Sequence, residues 1–112
     1  MNYSINIPEY DVSQFNLAIK EVIESNFGYV RIRGEISEIK TATRGQLYLT
    51  LKDKESILTG VVWDQKIKYL KFQPELGMEV VVIGKITTWS KYKTTYQIDI
   101  DKIELAGEGA LL

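Results

Sequence analysis

The sequence predicts a mainly β fold: a closed Greek-key barrel of five strands, with one helix ahead of it and a second, short helix between the third and fourth strands. Three observations point there. Up to Gly28 apolar residues recur at three- and four-residue steps, whereas from Tyr29 onward they recur at two-residue steps, the spacing of a strand with one buried face. Gly34 interrupts a long first β segment, and the last segment changes phase between Ile100 and Ile103; such irregularities bend a sheet until it can close. The chain has 112 residues, 45% apolar and 26% charged, which suits one soluble domain with one core.

The elements follow in order. Residues 13–27 place Phe15, Ala18, Ile19, Val22, Ile23 and Phe27 on one stripe. This predicts an amphipathic helix capped by Ser13, stopped by a left-handed Gly28, and buried along that stripe. Strands are predicted at 29–40, 46–53, 56–63, 78–89 and 95–105, from alternation and β-branched content. In the first strand Val30, Ile32 and Ile36 face inward, so Arg31 and Arg33 face outward. In the second, Leu47, Leu49 and Leu51 face inward, so Gln46, Tyr48, Thr50 and Lys52 face outward, beside Arg31 and Arg33 if the two strands pair. The segment DQKIKYLKFQPELG, residues 64–77, predicts a short helix that Pro74 and Gly77 turn away from. In the last strand Tyr96, Ile98 and Ile100 share the core phase, while Ile103 and Leu105 share the other. One extra residue at Asp101 or Lys102, bulged out of the ladder, reconciles them. Five antiparallel strands in this order, with a helix between the third and fourth, describe the OB-fold, in which the second and third strands and the adjoining loops commonly bind oligonucleotides. The expected organisation is a helical segment at 1–28, a barrel at 29–106, and from 107 to 112 the start of a linker. The final GEGALL, with three apolar residues after two glycines, suggests a fragment.

Charge is segregated along the chain. The net charge is −1, yet residues 1–28 and 94–112 each hold one Lys against four acids, leaving twelve cations against seven acids in residues 29–93. A surface field decays within about 10 Å at 0.1 M salt, so a basic middle can hold a polyanion despite a near-neutral total.

Several chemistries are excluded. With no His and no Cys, there is no Ser-His or Cys-His triad, no disulfide, and no imidazole or thiolate metal site. Neither GxxxxGK[ST] nor GxGxxG occurs, so the phosphate-cradling loops are missing. Asp99 and Asp101 share a strand face and could share a divalent ion, but two acids there are read as solvating the outer side of the last strand. No catalytic residue, metal ligand or cofactor is assigned. The longest aliphatic run, Val80–Ile83, is far too short to cross a bilayer. The N-terminus lacks the basic and then apolar stretch of a secretion signal, so a cytoplasmic protein without membrane contact is expected.

The outward face of the second strand is the candidate site. Tyr48 and the guanidinium of Arg31 offer planes for bases to stack on; Arg33, Arg44 and Lys52 offer cations for phosphates; Gln46 and Thr50 offer hydrogen bonds. The loop WSKYKTTY, Trp89–Tyr96, interleaves rings and cations where OB-folds close over their ligand. Lys91 and Lys93 are assigned to phosphates there and Tyr92 to stacking. Tyr96 has the phase of the core, Trp89 could pack either way, and Trp63 is read as a plug in the barrel. Stacking contributes about 1–3 kcal/mol per base and micromolar affinity needs about 8 kcal/mol, so cations must supply the remainder and binding must weaken with salt. An ordinary solvated sheet has similar composition, and only the loop lifts the binding reading above it.

Taken together, RGEIS at 33–37, GQLYLTLKD at 45–53, Trp63, FQPELG at 72–77, Gly84, YQI at 96–98 and GEGAL at 107–111 resemble the large subunit of bacterial exodeoxyribonuclease VII along nearly the whole chain. The resemblance implies an OB domain that grips single-stranded DNA for a metal-independent nuclease. It further implies a catalytic region beyond GEGAL, through which the small subunit binds; this segment by itself is expected to be no enzyme. The family usually has an aromatic residue where Arg31 stands and His where Gln46 stands, and the loop before Tyr96 is one residue longer here. Two other functions fit an OB-fold: binding of a tRNA anticodon, and assembly with protein partners without any nucleic acid.

Overall fold

A computed structural model describes residues 6–107. Helix α1 spans Val12–Asn26, followed by β1 (Tyr29–Thr41), β2 (Leu47–Lys52), β3 (Ile57–Val62), α2 (Asp64–Ile67), β4 (Glu79–Trp89) and β5 (Thr95–Leu105). The strands close into a barrel in the order β1-β2-β3-β5-β4. Each predicted strand is found with its ends within one residue. One seam differs from the expectation of an all-antiparallel barrel: β3 and β5 run parallel, through Gly60–Ile98 and Val61–Asp99. A short parallel seam is what joins strands separated by α2 and β4, because the chain returns in the direction it left.

Strand β1 serves two neighbours. Tyr29–Glu35 pair with β4 and Glu35–Thr41 pair with β2, with an irregularity at Ser37. The hand-over lies at Gly34, where a Cβ would stand 3.2 Å from the Lys52 carbonyl oxygen and 3.3 Å from the Leu51 Cβ. The absence of a side chain there lets β2 approach, as the bend in the sequence predicts. The bulge in β5 is also at its expected place. Ile83 pairs with Lys102 and Gly84 with Ile100, leaving Asp101 as the extra residue. The slip returns Ile103 to the interior, where it is 3% exposed.

The core is aliphatic. Ile36, Leu49, Leu51, Val62, Val80, Val82, Ile98, Ile100 and Ile103 form one buried cluster, and no buried polar residue occurs among the described residues. Val30, Ile32, Leu47, Ile67, Leu70 and Phe72 pack around it, so α2 and the segment after it close one end of the barrel.

Helix α1 departs from expectation in three ways. Its N-cap is Asp11 rather than Ser13: the Asp11 carboxylate accepts from the Gln14 amide at 2.7 Å, and the Gln14 side chain accepts from the Asp11 amide at 3.0 Å. This reciprocal box satisfies two otherwise unpaired N–H groups, which a lone serine hydroxyl cannot do. Gly28 is not left-handed, since positive φ occurs only at Gly45, Gly77 and Gly107 among the described residues. The helix ends instead on Phe27, whose backbone is no longer helical but whose amide still bonds to the Ile23 carbonyl. No residue of α1 is buried; Phe15, Ile19 and Val22 are exposed. The helix lies against the end of β4, over an apolar cavity of about 570 Å³ and a smaller one of about 260 Å³, so its apolar stripe meets a gap rather than a filled core. The segment GEGAL lies, apart from Gly107, outside the described residues.

Candidate nucleic-acid interface

Four aromatic rings meet around one groove. It encloses about 470 Å³ and is lined by Arg44, Gln46, Tyr48, Thr59, Trp63, Trp89, Lys93, Thr95, Tyr96 and Gln97. The strand phases account for most of this set. Gln46 and Tyr48 share the outward phase at the start of β2. Thr59 and Trp63 share that phase on β3, as do Thr95 and Gln97 on β5, and Trp89 pairs with Thr95 across the ladder. Arg44 is held there by the β1–β2 turn, in which the Gly45 amide bonds to the Ala42 carbonyl and Gly45 takes φ +95°. Only glycine adopts that backbone freely. Val61 is completely buried although it points outward opposite Tyr48 and lies outside the core cluster. Neighbouring side chains therefore roof this part of the sheet.

Electrostatics favour an anion. The lining holds two cations and no acid, and neither Arg44 nor Lys93 has an acidic partner among the described residues. The Gln46 Oε1 atom is buried with no hydrogen-bond partner. The larger cavity beneath α1 lacks any charged lining residue. A polyanion would find no counter-charge there, so size alone does not make it the site.

The ten residues expected from the sequence fall into four places. Arg44, Gln46, Tyr48 and Lys93 line the groove. Thr50 continues the same face, paired with Thr59 of β3. Lys91 and Tyr92 stand exposed in the β4–β5 loop, with the Lys91 Nζ 5.5 Å from the ring centroid. Lys52 lies at the far end of β2, 3.5 Å from Glu35 in an ion pair, and shares a shallow depression with Arg33. Arg31 is a correction. Its half of β1 pairs with β4, placing it opposite Ile83, and its guanidinium bonds to Glu104 of β5 at 3.1 Å. Neither it nor Arg33, which pairs with Val81 of β4, stands beside Tyr48, because β1 changes partner at Glu35.

Sequence phase points Trp63 and Tyr96 into the barrel and leaves Trp89 open, yet all three rings line the groove. Trp63 is half-buried on the groove wall and does not plug the core. Tyr96 has the inward phase but is 58% exposed, because it sits above the level at which the barrel is filled. Strand phase gives a direction and not a height, so it misplaces a residue at the rim. The aromatic content of the β4–β5 loop was the available signal.

A second charged cluster holds α2 to β5. Lys66 of α2 reaches between Asp99, at 3.6 Å, and Asp101, with which it is hydrogen-bonded. The Asp101 bond, with help from Asp99, raises the Lys66 pKa against the opposing effect of burial, and the same bond lowers that of Asp101. Asp101 also raises the Tyr29 pKa, by hydrogen bonding first and charge second. The two aspartates therefore receive a lysine, not open solvent, and no group of acids able to hold a metal occurs among the described residues.

Comparison with known proteins agrees with the fold. Residues 10–104 match the family model described as OB-fold nucleic acid binding domain. Over 107 residues, 96% of this chain, it is 47% identical to the exodeoxyribonuclease 7 large subunit of Caulobacter vibrioides, and 44% identical to that of Erythrobacter litoralis. It spans only 21% and 22% of those proteins. Among solved structures, the Stn1-ten1 complex of S. pombe superposes with a TM-score of 0.59 at 20% identity, covering 73% of this chain and 60% of that one. A mitochondrial single-stranded DNA binding protein of S. cerevisiae gives 0.54 at 19%, covering 71% and 94%. At these identities the likeness is one of fold. No helix among the described residues is long and apolar enough to cross a membrane. A barrel of this strand order, matched along nearly its whole length by that family model, belongs to the OB-fold nucleic-acid-binding domains.

Proposed function

We propose that this domain binds single-stranded DNA as the OB module of an exodeoxyribonuclease VII large subunit. It presents the strand to a catalytic region in the part of such subunits that this chain does not span, and the small subunit associates with that same region. The observation that carries this is the groove, in which four rings surround a space flanked by Arg44 and Lys93 with no acid in the lining. Rings accept unpaired bases, cations accept the phosphates between them, and a duplex would hide its bases from such walls. The names of the relatives and the single-stranded DNA binding by the structural neighbour support the same reading. Arg31 and Lys52 are already paired with Glu104 and Glu35, which leaves the phosphate contacts of the groove to Arg44 and Lys93.

The test is a titration of a fluorescein-labelled deoxythymidine oligomer with the wild type and with the double variant Tyr48→Ala, Trp89→Ala. Loss of two stacking platforms costs about 2–6 kcal/mol, which is about 30-fold or more in affinity. Neither residue belongs to the core cluster, so the variant should keep its circular dichroism spectrum. Unchanged affinity in a folded double variant sinks the proposal, and preference for a folded tRNA over the oligomer redirects it to an anticodon-binding role.

A further inference from the structure

The groove is built as a cup. Open OB faces let bases lie one after another on a sheet. Here rings rise on both sides, Tyr48 and Trp63 from β2 and β3, Trp89 and Tyr96 from β4 and β5, around about 470 Å³. That volume falls within the about 300–1,000 Å³ of sites that enclose one small molecule. Among these walls sits the Gln46 carboxamide, whose oxygen is buried without a donor. An unmade bond at a buried acceptor leaves free energy to be recovered by whatever brings an N–H group.

Resting on the single-stranded DNA reading, we infer that the cup takes one unstacked base, edge first, and that Gln46 accepts a hydrogen bond from the N–H on its pairing edge. A carboxamide offers an acceptor and a donor side by side. Thymine matches it with N3–H beside O4, and every other DNA base has a comparable pair of groups. The domain thus requires one base with a free pairing edge, while the rest of the strand is held by stacking and phosphate contacts that ignore the edge.

Three oligomers of equal length separate this from uniform stacking: deoxythymidine throughout, N3-methylthymidine throughout, and N3-methylthymidine with one unmodified thymidine at its centre. Methylation removes the N3–H and keeps the ring. Full methylation should weaken binding about tenfold, the value of one hydrogen bond of about 1.4 kcal/mol. The single unmodified residue should restore most of that loss, and the strand can slide to place it. Gln46→Leu should bind all three alike. Equal binding of all three by the wild type, or a recovery that grows in proportion to the number of unmodified residues, overturns the one-base cup while leaving single-stranded DNA binding intact. Failure of the wild type to bind even the unmodified oligomer overturns both.

Discussion

The cations of this domain divide into free and committed groups, and salt dependence should tell them apart. Arg44 and Lys93 line the groove without an acidic partner among the described residues, whereas Arg31 is hydrogen-bonded to Glu104 at 3.1 Å. Each phosphate neutralised on a single strand contributes about −0.7 to the slope of log affinity against log salt. The double variant Arg44→Ala, Lys93→Ala should therefore flatten the slope by about 1.4. Between 50 and 200 mM KCl, the wild type should lose about sevenfold more affinity than the variant. Arg31→Ala should leave the slope within error, because its charge already faces Glu104 and not the groove. Fluorescence anisotropy of a labelled oligomer at five salt concentrations measures all three. If Arg31→Ala flattens the slope as much as the double variant, the strand runs along the β1–β4 side, and the groove is not its path.

The remaining predictions use other parts of the molecule. Both tryptophans of the chain line the groove, so saturating oligonucleotide should quench most of the intrinsic fluorescence, and Trp89→Phe should remove part of that response; emission unchanged at saturation would contradict the placement. Gly84→Ala should be severely destabilising, because a Cβ would lie 2.0 Å from the Asp99 carbonyl oxygen. That neighbour is backbone, so the cost should reach or exceed about 3 kcal/mol, the upper end for overpacking, read as a lowered denaturation midpoint. The Lys66–Asp101 pair sets a pH window. Asp101 has a lowered pKa, so its contribution exists above the ordinary carboxylate value and disappears as pH falls through the depressed one; Lys66 has a raised pKa, so its contribution exists below the ordinary lysine value and disappears as pH rises beyond it. Stability from this pair should be flat between about pH 5 and 9 and fall outside those limits, and Asp101→Asn should lose stability at pH 7 in urea melts while showing a shallower acid limb.

The strands were legible because a barrel wall imposes alternation on every residue. Leu47, Leu49 and Leu51 announce β2 and its face, and the phase change between Ile100 and Ile103 locates a bulge at Asp101 that a flat strand would not need. Arg31 was misplaced because alternation is blind to which neighbour a long strand is touching. The switch of partner at Glu35 is a property of closure. Tyr96 was misplaced because the same pattern continues beyond the rim, where inward no longer means buried. The Asp11–Gln14 box could have been read from its spacing, with an acid three residues before a glutamine. Lys66 lies 33 and 35 positions from its aspartates, a separation at which no local pattern is informative.

Helix α1 has a consequence for how the molecule breathes. With no buried residue and its main contact at the end of β4, the helix can leave the barrel while the aliphatic cluster stays shut. Detachment of so lightly held a segment lies near the low end of the opening free-energy scale. Its amides should trade protons with heavy water far sooner than those of β1 and β4, and a protease should cut near Gly28 before it touches the strands.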